Sequence, residues 1–321
     1  MKIRELTSSE RPAWDELARR HGSLFNRLDW LDLFGSRMRL LGLFDAGDTL
    51  VGGAAVYAER RGGLTVFRRA PFTPTCGPFL AVKSSNPVAV LEERRAAVEC
   101  LASWLDERHP ALCMLPLDRR IADALPFFWR GYKVVPQYTY LLDLAPPLEQ
   151  IRRQMSPDRR NDVSKAVRDG VTARPAQGLD EVRDLVLATF GRQDKGVDRD
   201  VLEGILTRHA RPGNHYAYVA CRDGTPTAAC FVVHDDRTAY YLLGGYRAEN
   251  RHHGAGALAV WEAIRHAKEA GLDTFDFEGS VIPPIERFFR GFGGRLTPYF
   301  TVNKGWWPLE TAMKFLRRGL F

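Results

Sequence analysis

At 321 residues the chain has room for two domains of ordinary size or one large one, and its 45% hydrophobic content is that of a globular protein with a sizeable core. The net charge is +7 and the sequence pI near 9.3, with arginine dominant. Such a balance suits an anionic cosubstrate, RNA or an acidic membrane surface, and a GC-rich genome produces it as well. The five cysteines (Cys76, Cys100, Cys113, Cys221, Cys230) form no Cys-x-x-Cys pair and have no histidine at ligand spacing, which speaks against a zinc site or disulfide framework and predicts reduced, buried thiols. With no signal-peptide core and no apolar run near the roughly 20 residues of a membrane span, the expected location is cytoplasmic.

In chain order, residues 1–6 alternate as a short strand, and 8–21 read as an amphipathic helix with Trp14 and Leu17 inward. A second helix is expected over 27–34. Residues 39–44 and 50–57 form a strand pair joined through Ala46-Gly47-Asp48, and 64–68 is a third strand. Pro71, Pro74, Gly77 and Pro78 make 70–79 a loop. A strong helix over 87–108 carries Val90, Leu91, Ala97, Val98, Leu101 and Trp104 on its apolar side. A buried strand at 111–115 and a long β run over 131–144 follow. Ala145-Pro146-Pro147 breaks the pattern and sets the expected domain boundary, 1–145 against 146–321.

Beyond it, 148–154 and 157–168 are helical, 171–174 a strand, and 179–190 and 199–210 helical again. Residues 215–221 and 227–234 form a hairpin turned at Asp223-Gly224. This hairpin and the strand after it repeat the pattern of 47–57 and 64–67, and a long helix follows each copy. That echo predicts a duplicated architecture.

The richest stretch runs from Thr238 to Ser280. Tyr240 to Leu243 form a β run that stops at Gly244-Gly245. Arg251-His-His-Gly254-Ala255-Gly256 then opens directly into a helix with Leu258, Trp261, Ile264 and Ala267 on one face, ended by Gly271. A strand over 273–277 leads into Glu278-Gly279-Ser280. Strand, glycine loop, helix and strand make a βαβ unit, whose loop amides and helix N-terminus form an anion site. Glycines let a phosphate approach the backbone closely.

The spacing Arg-x-x-Gly-x-Gly in this setting resembles the pyrophosphate loop of GNAT acyltransferases. With Phe275-Asp-Phe-Glu-Gly-Ser280 and Ile285-Glu-Arg-Phe-Phe-Arg-Gly-Phe-Gly293, it resembles the second half of a FemAB-like or BioF2-like domain, from about Met155 to Asn303. That branch includes tRNA-dependent peptidoglycan aminoacyltransferases. The resemblance implies an α/β fold of two tandem GNAT-like domains with mixed sheets flanked by helices, the first lacking a phosphate loop. It implies that Arg251, Gly254, Ala255 and Gly256 hold the phosphates of an acyl-CoA cosubstrate. Many GNAT enzymes place a tyrosine general acid where this chain has Phe288-Phe289-Arg290-Gly291-Phe292, so the usual acid for the leaving thiolate is missing.

Several residues carry candidate chemistry. Alternation puts Asp276 and Glu278 on one face of the last strand, either of them suited to take a proton from an attacking ammonium. A cap or ion pair is the other reading of Asp276. Ser280 is read as an N-cap or a substrate hydrogen-bond donor, because no Gly-x-Ser-x-Gly elbow surrounds it. Arg287 and Arg290 grip a phosphate or carboxylate, or are solvated. The basic helix Asp158 to Gly170, similar to one that opens the family's second domain, offers Arg160 and Lys165 to a nucleotide-linked substrate or a tRNA end. His252 and His253 flank the loop. Lys304 is placed to stabilise an oxyanion or lie on the surface. The aromatic, basic tail from Trp306 either packs on the first domain or touches an anionic membrane. No metal is expected.

The expected function is acyl transfer from acyl-CoA to an amine by direct attack. Two alternatives stand beside it: aminoacyl-tRNA-dependent transfer to a cell-wall precursor or other amine, and a non-catalytic GNAT-like binding protein in polysaccharide or cell-envelope assembly.

Overall fold

Period-two and period-3.6 apolar patterns become strands and helices in nearly the expected order. The first half contains β1 (Lys2–Glu5), α1 (Arg11–His21), α2 (Leu28–Leu31), β2 (Met38–Phe44), β3 (Leu50–Arg61), β4 (Leu64–Arg68), β5 (Phe79–Leu80), α3 (Pro87–Glu107), β6 (Leu112–Pro116), α4 (Leu125–Trp129) and β7 (Lys133–Asp143). The second half contains α5 (Leu148–Gln154), α6 (Pro157–Arg168), β8 (Thr172–Pro175), α7 (Leu179–Arg192), α8 (Arg199–Gly204), β9 (His215–Arg222), β10 (Thr225–His234), β11 (Thr238–Tyr246), α9 (Ala255–Glu269), β12 (Thr274–Asp276), α10 (Pro283–Arg290), β13 (Arg295–Gly305) and α11 (Trp307–Leu316). This computed structural model describes residues 1–192, 196–249, 252–279, 281–316 and 319.

The chain forms two compact units, Met1–Gln137 with Pro298–Phe321, and Tyr138–Thr297. In the first, the sheet order is β1-β2-β3-β4-β6-β13, with β5 on β3. The steps are antiparallel except for the parallel pair β4 and β6. In the second, the order is β8-β9-β10-β11-β12-β7, antiparallel except for the parallel pair β11 and β12. A parallel step needs a crossover; α3 supplies it in the first unit and α9 in the second. The two units are therefore one architecture used twice, as the hairpin echo implies.

The expected boundary at residue 145 does not match these units. The strand that closes the second sheet, residues 138–143, lies before it, and the strand that closes the first sheet, residues 298–305, comes from the end of the chain. Each half of the sequence thus gives its last strand to the other unit. A proline pair marks where a strand ends and says nothing about which sheet that strand joins.

Local chemistry explains the helix ends. Asn86 caps α3 by accepting from the amides of Val88 and Ala89 at 3.0 and 3.2 Å, with Pro87 at the first helical position. Such a cap contributes about 1 kcal/mol. In the second unit, residues 227–233 of β10 are buried without interruption, because α7 and α9 both pack on that strand. The core here gathers Val232, Trp261, Ile264, Phe275 and Phe277, each contributing about 1.5–3 kcal/mol through burial. Four cysteines are buried, Cys100 is half-buried, and all five are free; desolvation pushes the Cys76 thiol up to about 12.

Candidate functional site

The second unit opens where its parallel strands separate. β11 and β12 pair over only Thr238↔Thr274, Ala239↔Phe275 and Tyr240↔Asp276. β12 ends there, whereas β11 runs on to Tyr246, through the glycine pair at which the sequence predicts a stop. β11 stays attached to β10 with one irregularity: Val232 faces Tyr241 and Phe231 faces Leu243, so Leu242 is extruded as a bulge. Carboxyl ends of separating parallel strands leave main-chain groups without a ladder partner, and ligands commonly bind there.

Tyr241 is the first β11 residue past the last pair. Its ring meets Phe289 of α10 edge-on at 5.3 Å, and Phe289 in turn packs on Phe277 at 5.6 Å. Its hydroxyl lies over the main chain of Gly244, where an added Cβ would fall 1.7 Å from that oxygen. Desolvation raises the phenol well above its ordinary value, with the Cys230 thiol adding to the effect, so the group stays protonated at neutral pH. Sequence reasoning sought an acidic tyrosine only in α10 and passed over this one, which reads as an ordinary strand residue.

The two carboxylates expected to share a face do not share a strand. Asp276 is 4% exposed, and its Oδ1 accepts from Thr139 Oγ1 at 2.5 Å and from the Glu278 amide at 2.8 Å. It holds the turn rather than facing solvent. Glu278 is half-buried with φ +55°, a left-handed conformation that side chains rarely adopt, so strand alternation ends before it. Gly279 follows at φ +68° and passes so close to β7 that an added Cβ would meet the Tyr138 carbonyl oxygen at 1.8 Å.

The glycine loop has two kinds of glycine. A Cβ on Gly254 would fall 2.1 Å from the Asp162 carbonyl oxygen of α6, so this glycine lets α6 lie against the start of α9. Its amide donates to His252 Nδ1 at 3.1 Å, and the Ala255 amide donates to the His252 carbonyl at 3.2 Å. Gly256 has nothing within 4 Å of an added Cβ. The amides of Gly256 and Ala257 are first-turn donors, which have no intrahelical acceptor. Ala255 itself is buried. His252 Nε2 sits 3.0 Å from Asp169, whose carboxyl is held below its ordinary range first by that hydrogen bond and then by Lys165. His253 pairs with Asp162 at 3.2 Å. Arg251 and Ser280 lie outside the described residues.

The basic candidates have other occupations. Arg160 Nη1 donates to the carbonyls of Arg153, at 3.0 Å, and Met155, closing the end of α5. Lys165 is paired with Asp169 at 3.2 Å. Arg287 is exposed on α10, and Arg290 lies 3.3 Å from Glu286. Arg159 is half-buried: it pairs with Asp162 at 2.6 Å and lies over the Phe288 ring at 4.3 Å. Lys304 belongs to the first unit, where its amine binds Asp106 at 2.9 Å and the Arg130 carbonyl at 3.0 Å. An amine so neutralised is poorly suited to the oxyanion role expected of it.

Among the described residues, no group of three or more His, Cys, Asp or Glu side chains could hold a metal ion. A cavity of about 320 Å³ lies beside Tyr216, Tyr218 and His266. His266 is about 17 Å along α9 from its first residue, so this cavity is separate from the strand opening.

Comparison with known proteins agrees with this fold. Residues 149–290 match the family described as Acetyltransferase (GNAT) domain. The fold is similar to that of FemX, with a TM-score of 0.70 at 14% identity over 98% of this chain and 100% of that one. It is also similar to the C-terminal domain of a putative lysylphosphatidylglycerol synthetase from Agrobacterium fabrum (TM-score 0.58, 13% identity, 95% of each chain). L-PGS from Bacillus licheniformis gives a TM-score of 0.56 at 14% identity over 98% of each chain. No curated protein matches the sequence.

Proposed function

We propose that this chain, an acyltransferase whose residues 149–290 belong to the GNAT acetyltransferase domain family and whose fold is FemX-like, moves an acyl group from an acyl-CoA to an amine by direct attack. The observation that carries the proposal is the parting of β11 from β12 after Tyr240 and Asp276, with a protonated phenol one residue and a carboxylate two residues beyond the last pair.

In this reading the amine nitrogen attacks the acyl carbon and the carbon–sulfur bond breaks. Glu278 takes the ammonium proton, and the Tyr241 hydroxyl protonates the departing thiolate. Asp276 is a positioning residue: it fixes the Glu278 amide and thereby the left-handed turn. The amides of Gly256 and Ala257 with Arg251 receive the donor's phosphates. Ser280 and Arg287 remain candidates for contact with the acceptor.

One observation favours a second donor, an aminoacyl-tRNA: α6 already occupies the space beside Gly254, which narrows the loop for a pyrophosphate. The leaving group then is a ribose oxygen, and the same two proton transfers serve. Thermal unfolding with acetyl-CoA, longer acyl-CoAs, free CoA and charged tRNA tests the choice, because a bound donor raises the melting temperature. A CoA-dependent rise supports the first reading. A rise with charged tRNA alone, fading steeply with salt, supports the second. No shift with any of them rejects both and leaves a GNAT-like binding protein in envelope assembly.

A further inference from the structure

The last helix leaves its largest apolar side chains in water. Trp306, Trp307, Phe315 and Leu316 are 58, 74, 79 and 78% exposed, and no residue of α11 is buried. Trp307, Thr311 and Phe315 are spaced four apart, so they share one face. Leu309 and Met313 are half-buried on another. The helix start is fixed to the first unit, since the Trp306 amide donates to the Ala111 carbonyl at 2.9 Å and its own carbonyl accepts from the Glu310 amide at 2.9 Å. The tail therefore sits on the first unit, as one sequence reading expects, without burying its aromatic residues.

We infer that α11 docks this chain onto an anionic lipid bilayer surface. At these exposures Trp307 and Phe315, the pair that shares a face, present on the order of 300 Å² of apolar area, the size of the largest patch on an ordinary monomer. That is less than the roughly 800 Å² per partner of a stable protein interface, so a second copy is a poorer fit. A bilayer needs no matching shape. Tryptophan favours the headgroup level, and a short helix with basic neighbours lies flat in that layer. The charge agrees: residues 306–321 contain Lys314, Arg317 and Arg318 against Glu310 alone, with Lys314 and Glu310 paired at 3.1 Å. Among the described residues no helix is long and apolar enough to cross a membrane, so this is attachment rather than insertion.

The test is co-sedimentation of the full chain with phosphatidylcholine vesicles, with and without 30% phosphatidylglycerol, alongside Trp307→Ala/Phe315→Ala. Both replaced side chains are exposed, so the variant keeps the wild-type melting temperature. The expected result is binding to the anionic vesicles at least tenfold tighter than to the neutral ones, weakened by salt. The double variant loses at least tenfold. Equal binding by variant and wild type, or no binding by the wild type, overturns the inference. So does a wild-type dimer in sedimentation velocity that the double substitution dissociates, which makes a second copy the occupant.

Discussion

The hydroxyl of Tyr241 occupies the space that a side chain on Gly244 would need, the two being three residues apart on one bulged strand. Gly244→Ala should therefore displace the phenol or the strand. Overpacking of this kind costs about 1–3 kcal/mol. If the clash is with this ring alone, Tyr241→Ala should remove most of it. A double-mutant cycle measured by urea unfolding should then give a coupling of about 1 kcal/mol or more. Additive single effects would show that Gly244 answers to something else.

The same phenol is assigned the leaving-group proton, and leaving-group chemistry can isolate that role. Tyr241→Phe should lower kcat roughly 100-fold with a natural donor, within the range of general acid catalysis. With p-nitrophenyl acetate, whose leaving group departs without a proton, the loss should shrink to a few-fold. An equal loss with both donors would make Tyr241 a structural residue.

Glu278 and Asp276 should separate in the same way. Glu278→Gln should lower kcat by about 100-fold or more with little change in melting temperature. Glu278→Gly should be equally inactive, yet about 1 kcal/mol more stable, because glycine adopts φ +55° without strain. Asp276→Asn weakens the hold on the Glu278 amide and on Thr139, so it should lower both stability and activity. Full activity in Glu278→Gln would remove the proposed base.

The fold was largely legible in the residues, and specific physical facts account for what was not. The hairpin echo and the helix after Gly254 are local patterns, and both formed as read. The exchange of closing strands was not readable, because strand pairing depends on partners more than a hundred residues away. Within the candidate site, Glu278 was singled out by alternation along the strand, while its left-handed backbone goes with the close pass of Gly279 against β7. Tyr241, proposed here as the acid, was passed over because a bulge, which no alternation pattern reveals, lies beside it.

The two loop glycines give another separation. Gly254→Ala pushes a methyl group against the Asp162 carbonyl and should destabilise the packing of α6 on α9 by about 2 kcal/mol or more. Gly256→Ala meets nothing, and alanine suits the second helical position, so the fold should be as stable or slightly more so. A methyl there does crowd any phosphate approaching the first-turn amides. Loss of the donor-induced melting shift in Gly256→Ala, with normal unfolding in its absence, would mark the loop as the donor's seat. An undiminished shift would place the donor elsewhere.

Acid should loosen the first unit at a defined place. Arg68 holds Glu59 with hydrogen bonds of 2.5 and 2.8 Å, and Tyr57 adds one at 3.1 Å. These partners, Arg68 first, bring the Glu59 carboxyl down to about 2, from an ordinary 4.5. A folded-state value below the unfolded one means that the carboxylate stabilises the fold above pH 4.5. That contribution is lost as pH falls from there through about 2. After allowance for partial exposure of the pair it is worth roughly 1–2 kcal/mol. Glu59→Gln should therefore speed amide exchange in β3 and β4 about 5–30-fold at pH 7. Relative to wild type that ratio should hold down to about pH 5 and decline toward one at pH 2–3. A ratio unchanged across the acid range would show that the charge of Glu59 contributes nothing and that shape alone matters at this strand pair.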